Sequence, residues 1–272
     1  MKSPAAADIS PVPLAFERRA VRAGDLARDA VTATEPLLFA AGLYRTQGQA
    51  AAQMARTHGD NPMAGRLDDD ADAVLAAASA VLRYAAEAAP GPLAEAARER
   101  QADPPGTARA RLLAYWNGDF PGAEDYLSRA ILRPYAELLR SLPRSPDRAR
   151  REGGCPFCGG APVISARRDG STMEGARRVM GCALCGGEWP FPRILCAACR
   201  EQDPRKLPSF RSERHPAVRI EACETCRRYV KSIDLSLDAR PIPEVDDLVS
   251  LSMDLWAREE GFVRIEPGLA GL

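Results

Sequence analysis

The sequence has no surplus of charge of either sign, because 37 basic side chains are balanced by 37 acidic ones over 272 residues. Dedicated DNA- or RNA-binding proteins usually carry a basic surplus, so this balance weighs against that class. The longest apolar run, from Pro36 to Tyr44, has nine residues, whereas a membrane span needs about 20. The first ten residues show no apolar core or cleavage pattern of a secretory signal. We therefore predict a cytoplasmic protein without a membrane span.

Candidate catalytic residues are scarce. The chain has two histidines and shows no Gly-rich phosphate loop, nucleophile elbow or His-Glu-x-x-His motif. His58 is expected to end a helix, where a cation suits the last carbonyls, and His215 is at most a spare metal ligand. The adjacent acids Asp246-Asp247 and Glu259-Glu260 point in different directions on a helix, and we expect them to be solvated. The sequence therefore does not predict an enzyme.

Cysteine is absent from the first 154 residues and from the last 46, and all eight cysteines lie between. They form four pairs with the same Cys-x-x-Cys spacing: Cys155/Cys158, Cys182/Cys185, Cys196/Cys199 and Cys223/Cys226. In each half, 23 residues separate the two pairs, and each cysteine of the second half follows its counterpart by 41 residues. The region is therefore an internal repeat.

Three kinds of chemistry use cysteines in such pairs. A disulfide framework is typical of secreted chains, and this chain shows no signal. A thioredoxin-like redox motif uses one Cys-x-x-Cys at a helix start rather than four in tandem. Metal binding explains the spacing best, because a two-residue turn directs two thiolates at one ion about 2.3 Å away. Two metal sites are thus predicted, one with Cys155, Cys158, Cys182 and Cys185 as ligands and one with Cys196, Cys199, Cys223 and Cys226.

Four thiolates saturate a tetrahedral ion and leave no open position for water or substrate, which favours a structural or electron-carrying role. Thiolates alone fit both zinc and iron. Gly159 and Gly186 follow the closing cysteines of the first site, and glycine tolerates the positive φ of such a turn. Arg200 and Arg227 occupy these positions in the second site. Either the second site is looser, or the arginines offset the charge of its thiolates.

Hydrophobic periodicity predicts helices ahead of the cysteines and one helix after them. The predicted helices are 35–57, 68–89, 92–101, 107–115, 123–142 and 242–261. The 23-residue spacers predict two-stranded ribbons, with strands at 162–168, 177–180, 207–211 and 217–221 and a turn at Asp169-Gly170. We expect the two ribbons to share an interface through Trp189 and Phe191.

Charge is unevenly distributed along the second half of the chain. Residues 155–232 carry 14 basic and 8 acidic side chains, whereas residues 233–272 carry 3 basic and 9 acidic ones. Attraction between these two regions is therefore expected.

The predicted fold class is α+β, with an N-terminal helical domain, two tandem rubredoxin-like or zinc-ribbon-like four-cysteine modules, and a C-terminal helix. The expected segments are a variable N-terminal segment 1–34, a helical domain 35–142, a linker 143–154, a first module 155–190, a second module 191–232 and a C-terminal helix and tail 233–272.

Several motifs carry a family resemblance. They are Cys-Pro-x-Cys-Gly at 155–159, Cys-x-x-Cys-x-x-x-Trp at 182–189, Arg-x-x-Cys-x-x-Cys at 193–199, Cys-x-x-Cys-x-x-Tyr-x-Lys at 223–231, and weaker matches at 132–137 and 246–264. Together they resemble the FdhE family. That resemblance implies an accessory protein that binds the catalytic subunit of formate dehydrogenase before twin-arginine export and is required for an active enzyme. It also implies rubredoxin-like iron on the eight cysteines. Arg200, where the family commonly has glycine, departs from the pattern.

Two other functions fit the residues. A zinc-ribbon nucleic-acid binder would use basic side chains to contact phosphates, and the candidates are Arg167, Arg168, Arg177, Arg178, Arg227 and Arg228. The neutral total and the acidic tail weigh against that function. A rubredoxin-type electron carrier would require a reversible iron couple.

Overall fold

The computed structural model describes residues 11–58, 63–118, 125–142, 144–168, 177–236 and 238–271. The predicted turn at Asp169-Gly170 lies outside them. The chain divides into two compact units: the first takes the described residues up to Val21 and those from Phe39 to Ala149, and the second takes Arg22–Leu38 and the chain from Arg150 onward. Among the described residues, no helix has the length and apolar character needed to cross a membrane.

Helices dominate the part of the chain before the cysteines. They are α1 (Pro11–Asp29), α2 (Thr34–His58), α3 (Leu67–Ala88), α4 (Gly91–Gln101), α5 (Pro105–Asn117) and α6 (Tyr126–Ser141). The helices predicted at 35–57, 68–89, 92–101 and 107–115 are present with shifts of one or two residues at their ends. Gly118 ends α5 with a φ of 78°, and the Asp125 side chain caps α6 by accepting from Ser128 N. Helix α1 was not predicted.

The core of the first unit is built around α6, in which every residue from 127 to 139 is buried. Its polar side chains are paired inside the unit. Glu137 accepts from Arg19 and from Arg133, each at 2.9 Å. The Tyr135 hydroxyl donates to Asp70 Oδ2 at 2.6 Å, and Asp70 also accepts from the backbone before α3. Because buried polar groups need partners, these bonds fix the position of α6.

The second unit contains a seven-stranded sheet. Its strands are β1 (Pro162–Arg168), β2 (Arg177–Cys182), β3 (Glu188–Pro190), β4 (Ser209–Arg211), β5 (Val218–Ala222), β6 (Arg228–Asp234) and β7 (Val263–Arg264). Six of them follow the order β3-β2-β1-β6-β5-β4, and β7 pairs with β6. Neighbouring strands within each module are antiparallel. The predicted ribbon strands are present, whereas β3, β6 and β7 were not predicted.

The two modules join through a parallel pairing of β1 with β6, in which Ser165 lies opposite Ser232. The interface predicted through Trp189 and Phe191 stays a prediction. Both side chains are buried, but Trp189 pairs in register with Met180 of β2, and the Phe191 backbone bonds to Arg178. The modules therefore share one continuous sheet, and the ion pair of Arg178 with Glu221 at 2.6 Å also joins them. The α+β fold class with two cysteine modules is confirmed.

The segment after β6 is not the single helix predicted at 242–261. It consists of α7 (Pro243–Asp246), a 3₁₀ turn (Asp247–Ser250) and α8 (Leu251–Glu259). The carbonyls of Asp247 and Ser250 accept hydrogen bonds from the Lys231 ammonium of β6. Carbonyls used in this way stabilise the turn that interrupts the helix.

Four charged side chains lie fully buried where this segment packs on the sheet. Lys231 pairs with Asp247 and Asp254 at 2.8 and 2.5 Å, and Arg264 pairs with the same two carboxylates at 2.9 and 3.2 Å. Burial disfavours the charged form of Asp247, but Arg264 and Lys231 outweigh burial, and the pKa of this carboxyl lies below its ordinary value. The expected attraction between the modules and the acidic tail thus takes the form of buried ion pairs.

The expectation that Asp246 and Asp247 are solvated was wrong, because both are buried. Asp246 accepts hydrogen bonds from Arg22 and from the Ile242 backbone N–H at 2.7 Å. Glu259 and Glu260 are exposed as expected. The difference arises because the first pair finds cationic partners far away in the sequence, which local patterning does not reveal.

Candidate metal centres

The first cluster contains Cys155, Cys158, Cys182 and Cys185. The first two lie in the turn before β1, and the last two lie at the end of β2 and in the turn after it. Cys155 Sγ and Cys185 Sγ are 3.7 Å apart, and Cys158 Sγ and Cys182 Sγ are 3.4 Å apart. All four side chains are buried. The structure therefore brings together the four cysteines that the sequence pattern assigned to one site.

The second cluster contains Cys196, Cys199, Cys223 and Cys226. Cys196 and Cys226 have their sulfurs 3.7 Å apart, and Cys199 and Cys223 have theirs 3.6 Å apart. Unlike the first cluster, this one reaches the surface, because Cys199 is exposed and Cys226 is partly exposed.

All four Cys-x-x-Cys turns share one hydrogen-bond scheme, in which the backbone N–H of the first cysteine donates to the carbonyl five residues later. The pairs are Cys155 to Gly160, Cys182 to Gly187, Cys196 to Glu201 and Cys223 to Arg228, at 2.8 to 2.9 Å. Cys182 Sγ and Cys196 Sγ each accept from two backbone N–H groups of their own turn. Such bonds favour the thiolate over the thiol.

The residue after each closing cysteine has a positive φ, as predicted for the two glycines. Gly159 and Gly186 have φ of 68° and 61°. In the second cluster Arg200 and Arg227 adopt the same region, with φ of 68° and 56°, and they are the non-glycine residues with positive φ in the described part of the chain. Arg200 pairs with Glu152 at 3.1 Å. The Arg227 guanidinium lies over the Phe262 ring, 3.8 Å from its centroid.

The next residue also distinguishes the clusters. A Cβ atom at Gly160 would lie 2.7 Å from Cys182 Sγ, so the first cluster excludes a side chain there. The 41-residue repeat places Glu201 at this position in the second cluster. Its carboxylate accepts from the Thr225 hydroxyl at 2.5 Å, and that bond is the main reason that its pKa falls to about 2. Neither residue was predicted to belong to a site, although the alignment of the two repeats contains the signal.

The donor set and its spacing fit a tetrahedral metal ion. Sulfurs about 2.3 Å from a shared ion lie roughly 3.8 Å from one another, which is close to the 3.4 to 3.7 Å separations in both clusters. A disulfide would require a distance near 2.05 Å, and all eight cysteines are free. Each cluster could therefore hold one metal ion, and thiolate ligands suit zinc or iron.

The thiols of the first cluster differ in acidity. Hydrogen bonds with Cys158, Cys182 and Cys185 lower the pKa of Cys155. Burial raises the pKa of Cys182. Without a metal, this cluster would retain protons at neutral pH, and a metal ion that binds must displace them.

Neither histidine belongs to a cluster. His58 is the last residue of α2, and His215 Nε2 lies 3.3 Å from Ser252 Oγ. Of the arginines considered for phosphate contact, Arg168 pairs with Glu188 at 2.8 Å. Arg178 is buried and pairs with Glu221 at 2.6 Å. These pairings weaken the nucleic-acid interpretation.

The sequence of both modules matches known domains. Residues 154–193 match the family described as FdhE, central domain, and residues 194–269 match FdhE, C-terminal domain. The FdhE homolog of Aquifex aeolicus is 36% identical over 117 residues, which are 43% of this chain and 41% of that protein. The FdhE homolog of Pseudomonas putida is 27% identical over 199 residues, or 70% of this chain and 62% of the homolog. The chain thus spans less than two thirds of either relative.

The fold agrees over a longer part of the chain. The crystal structure of the FdhE protein from Pseudomonas aeruginosa matches with a TM-score of 0.68 and 26% identity, and the match covers 94% of this chain and 95% of that one. The domain matches cover both cysteine modules, and the structural match extends to the helices before them. Since sequence and fold agree in this way, the chain belongs to the FdhE family.

Proposed function

We propose that this protein is an accessory, chaperone-like factor that binds the catalytic subunit of formate dehydrogenase and is needed for its maturation to an active enzyme. Membership of the FdhE family carries this proposal, since the family is one of formate dehydrogenase accessory proteins. The matches to the two FdhE domains include all eight cysteines. The structural match adds most of the helical region.

The proposed role of the clusters is to bind two metal ions through eight thiolates, Cys155, Cys158, Cys182 and Cys185 in one site and Cys196, Cys199, Cys223 and Cys226 in the other. Iron is favoured by the family resemblance, and zinc fits the same ligands. When bound, the metal would link two turns of each module, and its binding energy would stabilise the fold. Saturated sites of this kind support a non-catalytic function.

The proposed division of the chain keeps residues 155–190 and 191–232 as the two metal modules and 143–154 as the linker. The boundary between the compact units at Ala149 and Arg150 lies inside that linker. We also propose a cytoplasmic location, because closely spaced free thiols persist in a reducing compartment.

An anaerobic affinity pull-down of the tagged protein from its own cells, read by mass spectrometry, tests the proposed partner. We expect enrichment of a formate dehydrogenase catalytic subunit. The Cys155→Ser/Cys158→Ser variant should lose the subunit, because the first module no longer holds its turns together. An exposed substitution on the same sheet, Arg177→Ala, is the control and should retain it.

Two measurements distinguish loss of partner binding from unfolding of the variant. The metal content per chain shows how many sites are empty, and circular dichroism shows whether the helical unit remains folded. Recovery of RNA or ribosomal proteins in place of the enzyme subunit, in a salt-sensitive manner, would support nucleic-acid binding and contradict the proposal.

A rubredoxin-type electron carrier is the second candidate, and the exposure of Cys199 in the second cluster favours it. That function requires a reversible iron couple. Voltammetry of the iron-loaded protein tests it. A reversible wave that Cys199→Ser abolishes would support the electron-carrier function. If no reversible wave is seen, the accessory role remains the proposed function.

A further inference from the structure

A cavity of about 250 Å³ lies at the junction of the two modules. Its charged lining consists of Arg167, Arg178, Arg193, Arg219, Arg228 and one acid, Glu221. We call it the arginine cavity. Its residues come from both modules, and they converge because β1 pairs with β6. Five cations and one anion leave a large positive surplus in a small volume.

Glu221 is already used by two of these arginines. Its Oε2 lies 2.6 Å from Arg178, and its Oε1 lies 3.3 Å from Arg219. Outside the lining, Asp234 lies 3.6 Å from Arg167. Five arginines and these two carboxylates leave a formal charge of about +3, which favours an anion in the cavity.

Arg178 is a preformed part of the cavity. Its Nη1 donates to the Pro192 and Leu195 carbonyls at 2.8 and 3.2 Å, and its guanidinium lies 5.3 Å from the Phe191 ring centroid. Its Nε is buried and has no hydrogen-bond partner among the described residues. A buried donor without a partner is costly, and an oxyanion could supply an acceptor.

Crowding of like charges also affects Arg219, which is half-buried. Burial is the main reason that its pKa is lowered; Glu221 opposes burial, Arg167 and Arg211 lower the pKa, and Asp234 raises it. A bound anion would relieve this repulsion.

Neutralising the adjacent metal centre is a simpler role for the arginines, since Cys196 and Cys223 also line the cavity. Four thiolates around a divalent ion leave a charge of about −2, which is smaller than the surplus of the arginine lining. The first cluster would carry the same charge, yet the repeat places Gly187 there where the second has Arg228. Compensation of the thiolates therefore accounts for about two of the positive charges, and a formal surplus of about one remains.

We propose that the arginine cavity binds a small molecule that carries a phosphate group. Arginine presents paired donors that match phosphate oxygens. The volume is below the roughly 300 to 1,000 Å³ of pockets that hold drug-sized ligands, so the site suits inorganic phosphate or a compact phosphomonoester and not a folded partner segment. This site is independent of the proposed role in formate dehydrogenase maturation.

Isothermal titration of the metal-loaded full chain tests the proposal at constant ionic strength, with inorganic phosphate, glycerol 3-phosphate and the dicarboxylate malonate as probes. Saturable binding of either phosphate probe, tighter than that of malonate, is the expected result. Tighter binding of glycerol 3-phosphate than of phosphate identifies a phosphomonoester ligand, and the opposite order identifies free phosphate. Absence of saturable binding, or a preference for malonate, overturns the proposal.

The double variant Arg193→Gln/Arg228→Gln should weaken phosphate binding by about tenfold or more, because each arginine supplies charge-assisted hydrogen bonds. The matched control Arg177→Gln/Arg214→Gln removes the same charge outside the cavity lining and should bind as the unaltered protein does. Equal weakening in both variants would mean a general charge effect and would overturn the site. Arg193→Gln alone, compared at equal metal content, separates a lost contact from a disturbed second cluster.

Discussion

The two four-cysteine clusters have the same turns and the same backbone hydrogen bonds but different surroundings. The first is fully buried, with glycine at 159, 160 and 186. The second reaches the surface through Cys199, and larger side chains stand at the equivalent positions. The backbone of a Cys-x-x-Cys turn therefore specifies the ligand geometry, whereas the residues next to it decide how far solvent and other molecules can approach.

The largest difference is expected from removing one ligand from each cluster. Cys158→Ser should lose one metal ion and lower the melting temperature by about 10 °C or more, because binding energy at a buried structural site is also folding energy. Cys199→Ser should lower it by less than half as much, since its side chain is exposed. Metal analysis and thermal unfolding of both variants check this. An equal fall in melting temperature for both variants would mean that exposure does not distinguish the stability contributions of the two clusters.

A methyl group next to the first cluster should have the next largest effect. Gly160→Ala would place a Cβ atom 2.7 Å from Cys182 Sγ, and overpacking of this kind costs about 1–3 kcal/mol. Glu201→Ala is the matched change in the second cluster, and it should lower the melting temperature less because it creates no clash.

Urea unfolding of the metal-loaded variants measures both effects. If Gly160→Ala has the same free energy of unfolding as the unaltered protein, the first cluster can widen to accept the methyl group. The proposed difference in packing between the clusters would then be wrong.

The smallest effects are expected at the two arginines with positive φ. Arg200→Gly relieves about 1–2 kcal/mol of left-handed strain, and it loses about 0.5–1 kcal/mol in chain entropy and a surface ion pair worth about 0–1 kcal/mol. The variant should therefore be neutral or slightly more stable. Arg227→Gly also loses the contact with Phe262, worth about 0.5–1 kcal/mol, and a hydrogen bond to the Glu260 carbonyl. It should be less stable by about 1 kcal/mol.

The comparison of these two variants in one unfolding experiment is decisive. If both gain stability, the Arg227 contacts contribute nothing, and if both lose it, the positive φ carries no strain.

The sequence predicted what depends on local spacing. The cysteine repeat grouped the eight residues into the two clusters that the structure forms, and the glycines after Cys158 and Cys185 indicated positive φ. Helices α2 to α5 followed from apolar periodicity. The helices and the glycine turns depend on residues a few positions apart, and the clusters follow from a repeated spacing, so all of them are visible in one sequence.

The features that were missed depend on partners that no repeated spacing or periodicity marks. Burial of Asp247 requires Lys231 and Arg264, and burial of Asp246 involves Arg22. The pairing of β1 with β6 unites two ribbons that the repeat pattern presents as separate. The arginine cavity exists only because of that pairing, and no spacing rule brings its residues together.

The order β3-β2-β1-β6-β5-β4 has a further consequence. The second module repeats the strand order of the first, so the two are related by translation along the sheet and not by a two-fold axis. Such head-to-tail addition has no built-in end and could in principle continue into a fibre. The outer strands of the described order, β3 and β4, have three residues each. Short edge strands are poor templates for another strand, so the shortness of β3 and β4 opposes the addition of a third module.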